Sequence, residues 1–412
     1  MSGDKTSSEA GDRCDSEAAA RAALVPGLDT ATERPPEQSD YSEHAAASLA
    51  TLRGLAAGQL GAGLVTRLLL CGQHCAAHGD QTPHCWSSAE HRAAADQVAS
   101  KLQQEQGSSL AQLLAAEDCQ LLQLVVAQLQ PQLEQFPRHP AAVAALVWLL
   151  EQVPRPQLRG PVLARLLPHL LNITEHWMPH CKVAGCRLIL SVVTAAPAPE
   201  LVFYGRAELL WEPLLRLLSH TEVEVVAAAA PPLLQLAAIR HAAAPGVPAS
   251  PGPGDTLAAE LLTRLELSSC GDTRQLHAGA LLQLVERTLG RGVARWAARL
   301  CRVVAGLLEL GPAPAAVFET VSAVTRLCPE CVAGEVGVLL PSLVKFVYLC
   351  SWRDPGTCGD SVQLASVCIQ EVTSCDPAAA RALCHDLHTV TPVNKTFDTL
   401  VSQMLASIEA TS

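Results

Sequence analysis

The chain has 412 residues, of which 49% are hydrophobic, 3% aromatic and 17% charged, and its formal net charge at pH 7 is −11. The acidic balance argues against nucleic-acid binding, because contact with a phosphate backbone needs a cationic protein surface. Since aromatic residues are scarce, leucine and alanine must form most of the core, and this favours closely packed helices over sheets.

Residues 1–43 mix Ser, Glu, Asp, Thr and Pro with few large apolar side chains. Such a composition cannot offset the entropy cost of ordering, so we expect a disordered tail. The tail lacks the apolar region of a secretory signal, and no uninterrupted apolar run reaches the roughly 18 residues of a membrane span. We therefore expect a soluble cytoplasmic protein, with the nucleus as an additional location, whose 16 cysteines are reduced and mostly buried.

Helical periodicity predicts an N-terminal arm of helical repeats over residues 44–241. Ser87 and Glu90 have the spacing of a capping box, which predicts the start of a helix. Further along, Leu110–Leu114 and Leu121–Leu133 form two separate apolar pieces.

The stretch from Pro179 to Arg240 carries three helical segments separated by short turns. Pro197 and Pro199 are expected to end the first helix, because proline cannot donate to the helical hydrogen-bond ladder. Each segment has an apolar face too wide to remain exposed, so the helices must stack on neighbours.

Residues 242–255 are rich in Pro, Gly and Ser, and this composition predicts a loop or linker. A C-terminal helical-repeat arm follows over residues 256–412. Predicted helices begin roughly every 18 to 25 residues, so that helix pairs recur near 40 residues, the period of HEAT and armadillo repeats. The sequence therefore predicts an all-α fold, an α-solenoid of HEAT/armadillo-like repeats.

Histidines and cysteines cluster after the first predicted helical stretch, which runs from about Ala45 to Leu70, and they suggest a zinc site as an alternative to buried thiols. The candidate ligands are Cys71, His74, Cys75, His84 and Cys85, with His78 and His91 nearby. Because two adjacent His-Cys pairs do not easily point at one ion, we favour packed thiols and expect no metal.

A Cys-x-x-Cys motif occurs at Cys328–Cys331, but a redox motif of this kind needs a βαβ setting, which the helical pattern does not offer. The chain has no nucleophile elbow, phosphate-binding loop or HExxH motif. We expect no enzymatic activity and no cofactor.

The central stretch resembles the second Tel-two-interacting protein family, a subunit of the Triple T co-chaperone complex. The residues that carry the resemblance are Lys182, Gly185, Pro197, Leu201, Tyr204 and Arg206. The resemblance implies structural roles: Gly185 permits close helix approach, Pro197 ends a helix, and Tyr204 and Arg206 fix the following turn.

The resemblance also implies a function as a scaffold. The family binds two sister subunits and links newly made phosphatidylinositol-3-kinase-related kinases (mTOR, ATM, ATR and DNA-PK) to the heat-shock-protein-ninety chaperone. Two alternatives stay open at this point. One is an unrelated HEAT-repeat scaffold in transport or trafficking, and the other is a metal-dependent or redox enzyme built on the cysteine motifs.

Overall fold

In a computed structural model of the protein, the structure describes residues 16–28, 37–59, 61–75, 84–158, 160–243, 252–311, 313–351 and 355–388, together with residues 399, 402 and 406. Every regular element in these ranges is helical. The predicted all-α fold is confirmed.

A helical segment over residues 16–22 and a 3₁₀ turn over Gln38–Tyr41 precede the main helices. The α-helices are α1 (Ser42–Ala57), α2 (Leu64–His74), α3 (Ala89–Gln106), α4 (Leu110–Leu133), α5 (Pro140–Gln152), α6 (Gly160–Glu175), α7 (Pro179–Ala195), α8 (Ala198–Val202), α9 (Arg206–Leu217), α10 (Val223–Ala243), α11 (Pro253–Leu267), α12 (Gly271–Leu284), α13 (Ala297–Glu309), α14 (Ala315–Leu327), α15 (Pro329–Ala333), α16 (Val336–Ser351), α17 (Pro355–Cys375) and α18 (Pro377–His388). A π-helical segment, Val285–Leu289, and a 3₁₀ segment, Gly290–Trp296, join α12 to α13.

The chain divides into two compact units, Met1–Leu214 and Leu215–Ser412. The boundary falls within α9 and not at the linker predicted over residues 242–255. Helix α10 packs against α11 and α12, so this stretch connects helices of the same unit. Its central part, residues 244–251, lies outside the described residues.

The first unit is a two-layer stack of helices. Helices α2, α5 and α7 pack side by side in one layer, while α4 and α6 pack in the other, and α1 pairs with α3. The layers meet through apolar faces: Ala145, Leu146 and Leu149 of α5 are completely buried. These faces are too wide to be exposed to water, which is why each helix requires its neighbours.

The second unit repeats this arrangement. Helices α11, α13, α16 and α18 form one layer, and α10, α12, α14 and α17 form the other. Phe318 of α14 is fully buried and packs against Phe346 of α16 with ring centroids 5.4 Å apart. The layers are thus joined by large apolar side chains.

The predicted disordered tail of residues 1–43 needs correction in its described parts. Residues 16–28 pack on the first unit, where the backbone amide of Val25 donates to the Gln73 side chain over 3.0 Å. Val25 and Tyr41 share a buried cluster with Trp86. Residues 16–28 are rich in alanine and include Leu24, Val25 and Leu28, an apolar stretch that the average composition of residues 1–43 conceals. Residues 1–15 and 29–36 lie outside the described residues.

One local prediction also differs from the structure. Helix α3 is capped by Ser88 and not by Ser87: the Ser88 hydroxyl accepts from the His91 amide, and the His91 ring accepts from the Ser88 amide. The two separate pieces predicted between residues 110 and 133 agree with a sharp bend inside α4, where Leu110–Ala116 and Cys119–Leu133 meet at 86°.

Helix α10 is, by length and composition, apolar enough to cross a bilayer. Its mean hydropathy in the relevant window is 1.4, higher than we expected from its interrupted sequence. Val225, Val226 and Leu233 are nevertheless fully buried against the second unit. A core helix of a water-soluble protein has the same composition, so this helix alone does not indicate a membrane protein.

Candidate interaction surface

A sharp corner between α7 and α9 carries two strongly exposed aromatic side chains. Helix α7 ends at Ala195, and Pro197 is the N-cap of the short helix α8. The chain then turns through Gly205, whose φ of +65° lies in the left-handed region. A residue with a Cβ would be strained there, so glycine fixes the direction in which α9 leaves the turn.

The Arg206 side chain holds this corner in place. Its Nη1 donates to the Glu200 carboxylate over 2.7 Å and to the Glu200 carbonyl over 3.0 Å, and its Nη2 donates to the Gly160 carbonyl over 3.5 Å. Arg206 is 11% exposed and Glu200 is 30% exposed, so water screens this ion pair less than a fully solvated one. One guanidinium thereby ties α8 to the first residue of α6.

Phe203 and Tyr204 stand on this support and point into solvent. Their rings pack edge to face with centroids 5.1 Å apart, and the guanidinium carbon of Arg206 lies 4.5 Å from the Tyr204 ring centroid. Phe203 is 82% exposed and Tyr204 is 60% exposed. We call Phe203, Tyr204 and Arg206 the aromatic corner. It offers a rigid apolar surface with a polar edge, of the type that forms hot spots in protein interfaces.

Two further residues of the sequence resemblance lie on α7. A Cβ built on Gly185 would lie 2.7 Å from both the Cα and the backbone nitrogen of Thr174 on α6. Such contacts are closer than carbon atoms tolerate, so glycine permits the two helices to approach. Lys182 is half-buried in the first turn of α7, where its charge helps to lower the pKa of His176, behind the larger effect of burial.

The tryptophans differ in exposure, which the sequence did not reveal. Trp148 and Trp211 are 6% and 3% exposed and fill the core, whereas Trp177, between α6 and α7, is 60% exposed. Trp177 is therefore a second candidate contact in the first unit.

The proposed zinc ligands lie in two places with different surroundings. Cys71, His74 and Cys75 are at the buried end of α2. Cys71 donates to the Ala95 carbonyl over 3.4 Å, and Cys75 donates to the Asp96 carboxylate over 3.4 Å. The described residues contain no group of three or more His, Cys, Asp or Glu side chains placed to hold a metal ion. His78 lies outside the described residues.

Aromatic packing accounts for the histidines of this region. The His74 ring stacks on His91 with centroids 5.0 Å apart, and the His84 ring stacks on Trp86 at 4.7 Å. Cys85 is half-buried and packs against the cluster around Trp86. These rings fill the interior next to α2.

Burial keeps the α2 groups in their neutral forms. It raises the pKa of Cys71 to about 12 and also raises the pKa of Cys75. It lowers the pKa of His74 to about 3, with smaller effects from neighbouring histidines. A neutral thiol is a poor nucleophile.

The Cys328–Cys331 motif starts between α14 and α15, where Cys328 is the N-cap of α15, and Cys331 lies within α15. Cys328 is buried and donates to the Val324 carbonyl over 3.3 Å. Burial, together with Cys331 and Glu330, raises the pKa of Cys328 to about 11. A redox-active Cys-x-x-Cys lowers the pKa of its first thiol, so this motif has the opposite electrostatic setting.

Comparison with known proteins finds curated relatives that share the same protein name. The chain is 30% identical over 304 residues to the human TELO2-interacting protein 2, covering 70% of this chain and 59% of that protein. The rat and mouse proteins of the same name are 28% identical over 305 and 310 residues. The chain spans just under three-fifths of the length of these relatives. No protein-family model matches the chain.

Solved structures show the same fold at low sequence identity. A structure of Kap95p with RanGDP has a TM-score of 0.56 at 13% identity, and covers 99% of this chain and 48% of that one. A crystal structure of importin beta has a TM-score of 0.51 at 14% identity, and covers 92% and 53%. At this identity the likeness shows the helical-repeat fold alone, and it confirms the HEAT/armadillo-like architecture predicted from helix spacing.

Proposed function

Because the chain belongs to the TELO2-interacting protein 2 family, we propose that it is a non-catalytic scaffold subunit of the Triple T co-chaperone complex. The observation that carries the proposal is the sequence similarity to three curated relatives over 70% of the chain. In this role the chain binds the two sister subunits. Through them it supports the maturation and abundance of phosphatidylinositol-3-kinase-related kinases by the heat-shock-protein-ninety machinery.

The architecture supports a scaffold role. Stacked helix pairs offer long surfaces for partners and need no cofactor to bind them. Burial holds the thiols of Cys71, Cys75 and Cys328 in the protonated form, which disfavours the enzyme hypotheses based on those motifs. The fold likeness to importin beta is not evidence for a transport function, because its identity of 14% is too low.

The aromatic corner is our proposed contact with a sister subunit. Arg206 and Glu200 fix the turn before a partner arrives, so binding does not have to order these side chains. Phe203 and Tyr204 supply the exposed rings. We further propose that the complex forms in the cytoplasm, with a nuclear pool, without nucleic acid or membrane as a partner.

Affinity purification with quantitative mass spectrometry tests the proposed function. The tagged chain should recover both sister subunits in amounts comparable to its own. A well-folded chain that recovers neither of them contradicts the proposal.

The same assay tests the aromatic corner through the double substitution Phe203→Ala and Tyr204→Ala. Both side chains are exposed, so we expect normal folding and recovery of a sister subunit reduced about tenfold, as for hot-spot residues. Leu124→Ala is the control, since Leu124 is 60% exposed elsewhere in the first unit. Equal recovery of the sister subunit by the wild type, the double variant and the control would show that the aromatic corner is not a contact. The proposed membership of the complex would be unaffected.

A further inference from the structure

An open groove of about 560 Å³ lies along α11 and α13 in the second unit. Its walls include Glu266 of α11 and Arg299, Arg302, Gly306 and Leu310 of α13 and its end. The two helices run in the same direction. Near their starts, Arg295 and Trp296 donate to the Asp255 carboxylate, each over 2.9 Å. The groove extends along α13 from Arg299 to Leu310, beside Glu266 near the end of α11.

One wall of the groove is held rigid by Arg299. Its Nη2 donates to the Thr263 hydroxyl and to the Glu266 carboxylate, each over 2.9 Å, and its Nε donates to the same carboxylate over 3.3 Å. Since the guanidinium is planar and held at several points, the wall keeps its shape without a ligand.

Exposed leucines recur at the ends of successive helices in this layer. Leu267 is the last residue of α11, Leu310 directly follows α13, and Leu349 lies in the last turn of α16, with exposed fractions of 71%, 67% and 41%. They are separated by roughly 40 residues, the repeat period. A single exposed leucine is ordinary, but exposed leucines at equivalent positions of three successive helices, one of which, Leu310, lines the groove, favour an interface.

The groove also carries an unbalanced positive charge. Most cations of this layer pair with carboxylates: Arg299 with Glu266 at 2.9 Å and Lys345 with Glu309 at 3.1 Å. Within the described residues, Arg302 has no carboxylate at ion-pair distance, and its Nε donates only to the Ala298 carbonyl. In a chain of net charge −11, a locally cationic groove selects a ligand that carries acidic groups.

The all-helical surroundings of the groove favour a helix as the ligand. An extended peptide gains affinity from main-chain hydrogen bonds to a sheet edge, and the described part of the chain contains no strand. A helix satisfies its own main chain and needs only a groove for its apolar face. Gly306 leaves space for such an approach, because a Cβ built there would meet no atom within 4 Å.

We propose that this groove binds an amphipathic helix of a sister subunit. Apolar side chains of that helix lie over Gly306 and along Leu310, and a neighbouring carboxylate pairs with Arg302. The source of the helix rests on the proposed function, whereas its chemistry follows from the groove.

The test compares the affinity of the purified chain for the purified sister subunits, measured by biolayer interferometry. Gly306→Trp fills the groove and Arg302→Glu reverses its charge. Gly279→Trp is the control for the first, since Gly279 lies on α12 in the other layer and also has open space around its Cβ. Arg287→Glu is the control for the second, since Arg287 is exposed and lies outside the groove.

We expect each groove variant to raise the Kd at least about tenfold, as for a central interface residue. Each control should change the Kd less than about twofold. The effect of Arg302→Glu should shrink at high salt, because screening weakens an exposed charge contact. Circular dichroism checks that the variants fold. If Gly306→Trp does not fold, Arg302→Glu still tests the groove, because Arg302 is exposed and its substitution should not disturb folding.

Three results would overturn the assignment. If the wild-type chain and the groove variants bind the sister subunits equally well, the groove is not the binding site, and the proposed function stands. If the wild-type chain binds neither sister subunit, the proposed function fails, and the sister-subunit source of the helix fails with it. If Gly306→Trp abolishes self-association of the chain, the occupant is a second copy.

Discussion

The substitution Gly185→Ala tests most sharply how the helices of the first unit pack. The added methyl group would lie 2.7 Å from two backbone atoms of Thr174 on α6. Backbone atoms cannot rotate away as a side chain can, so α6 and α7 must separate. Overpacking of this kind costs about 3 kcal/mol at the upper end of its range, while alanine regains up to about 1 kcal/mol of helix propensity.

The net loss is therefore about 2 kcal/mol, which corresponds to a fall in Tm of about 4–8 °C for a unit of this size. Differential scanning calorimetry of the full chain measures it. Gly279→Ala is the matched control: its Cβ meets open space, so the gain in helix propensity should raise Tm by about 1–4 °C. If Gly185→Ala is as stable as the wild type while Gly279→Ala behaves as expected, the close approach of α6 and α7 is wrong.

Three other substitutions or treatments have defined outcomes. Arg206→Met leaves the Glu200 carboxylate without its partner, and should cost about 1–2 kcal/mol of stability and speed proteolysis near Gly205. His74 has a folded-state pKa of about 3, far below its unfolded value, so the unfolded chain binds a proton that the folded chain rejects. Stability is therefore complete above pH 6.5 and should fall by about 2 kcal/mol at pH 5, and His74→Phe should reduce that loss. Elemental analysis should find zinc well below one ion per chain, and EDTA should leave Tm unchanged.

Each of these outcomes has a clear contrary result. Arg206→Lys keeps the positive charge but loses the planar guanidinium, so its proteolysis rate should lie between those of the wild type and Arg206→Met. A wild-type proteolysis rate in both variants would show that Arg206 does not fix the turn. An unchanged pH dependence in His74→Phe would mean that other groups, such as His277, whose pKa is also lowered by burial, control the acid sensitivity. Stoichiometric zinc that is lost in Cys71→Ser would restore the metal hypothesis.

Helix positions followed from the sequence where apolar spacing and proline agreed. The segment after Pro179 was predicted as a helix that stops before Pro197, and α7 runs from Pro179 to Ala195. Similarly, Asp376 caps the helix that starts at Pro377: its carboxylate accepts from the amides of Ala378 and Ala379, each over 3.1 Å. Such boundaries depend on local chemistry, which a single sequence contains.

Features that depend on distant contacts could not be predicted in this way. Residues 16–28 form a short apolar stretch inside a polar tail, and the sequence does not show that Ala20, Ala23 and Val25 are buried against helices that are far away in sequence. In the same way, the sequence does not distinguish the buried Trp211 from the exposed Trp177 or Phe203. The resemblance pointed to the turn at Tyr204 and Arg206, but only the fold shows that Phe203 is exposed beside it.

The proposed assembly is the central claim, and native mass spectrometry tests it most directly. The chain is co-expressed with both sister subunits, purified through a tag on this chain, and weighed intact. We expect a dominant species containing one copy of each of the three proteins. A chain that remains folded and is detected only by itself, under conditions in which the two sister subunits bind each other, would contradict its role as a subunit.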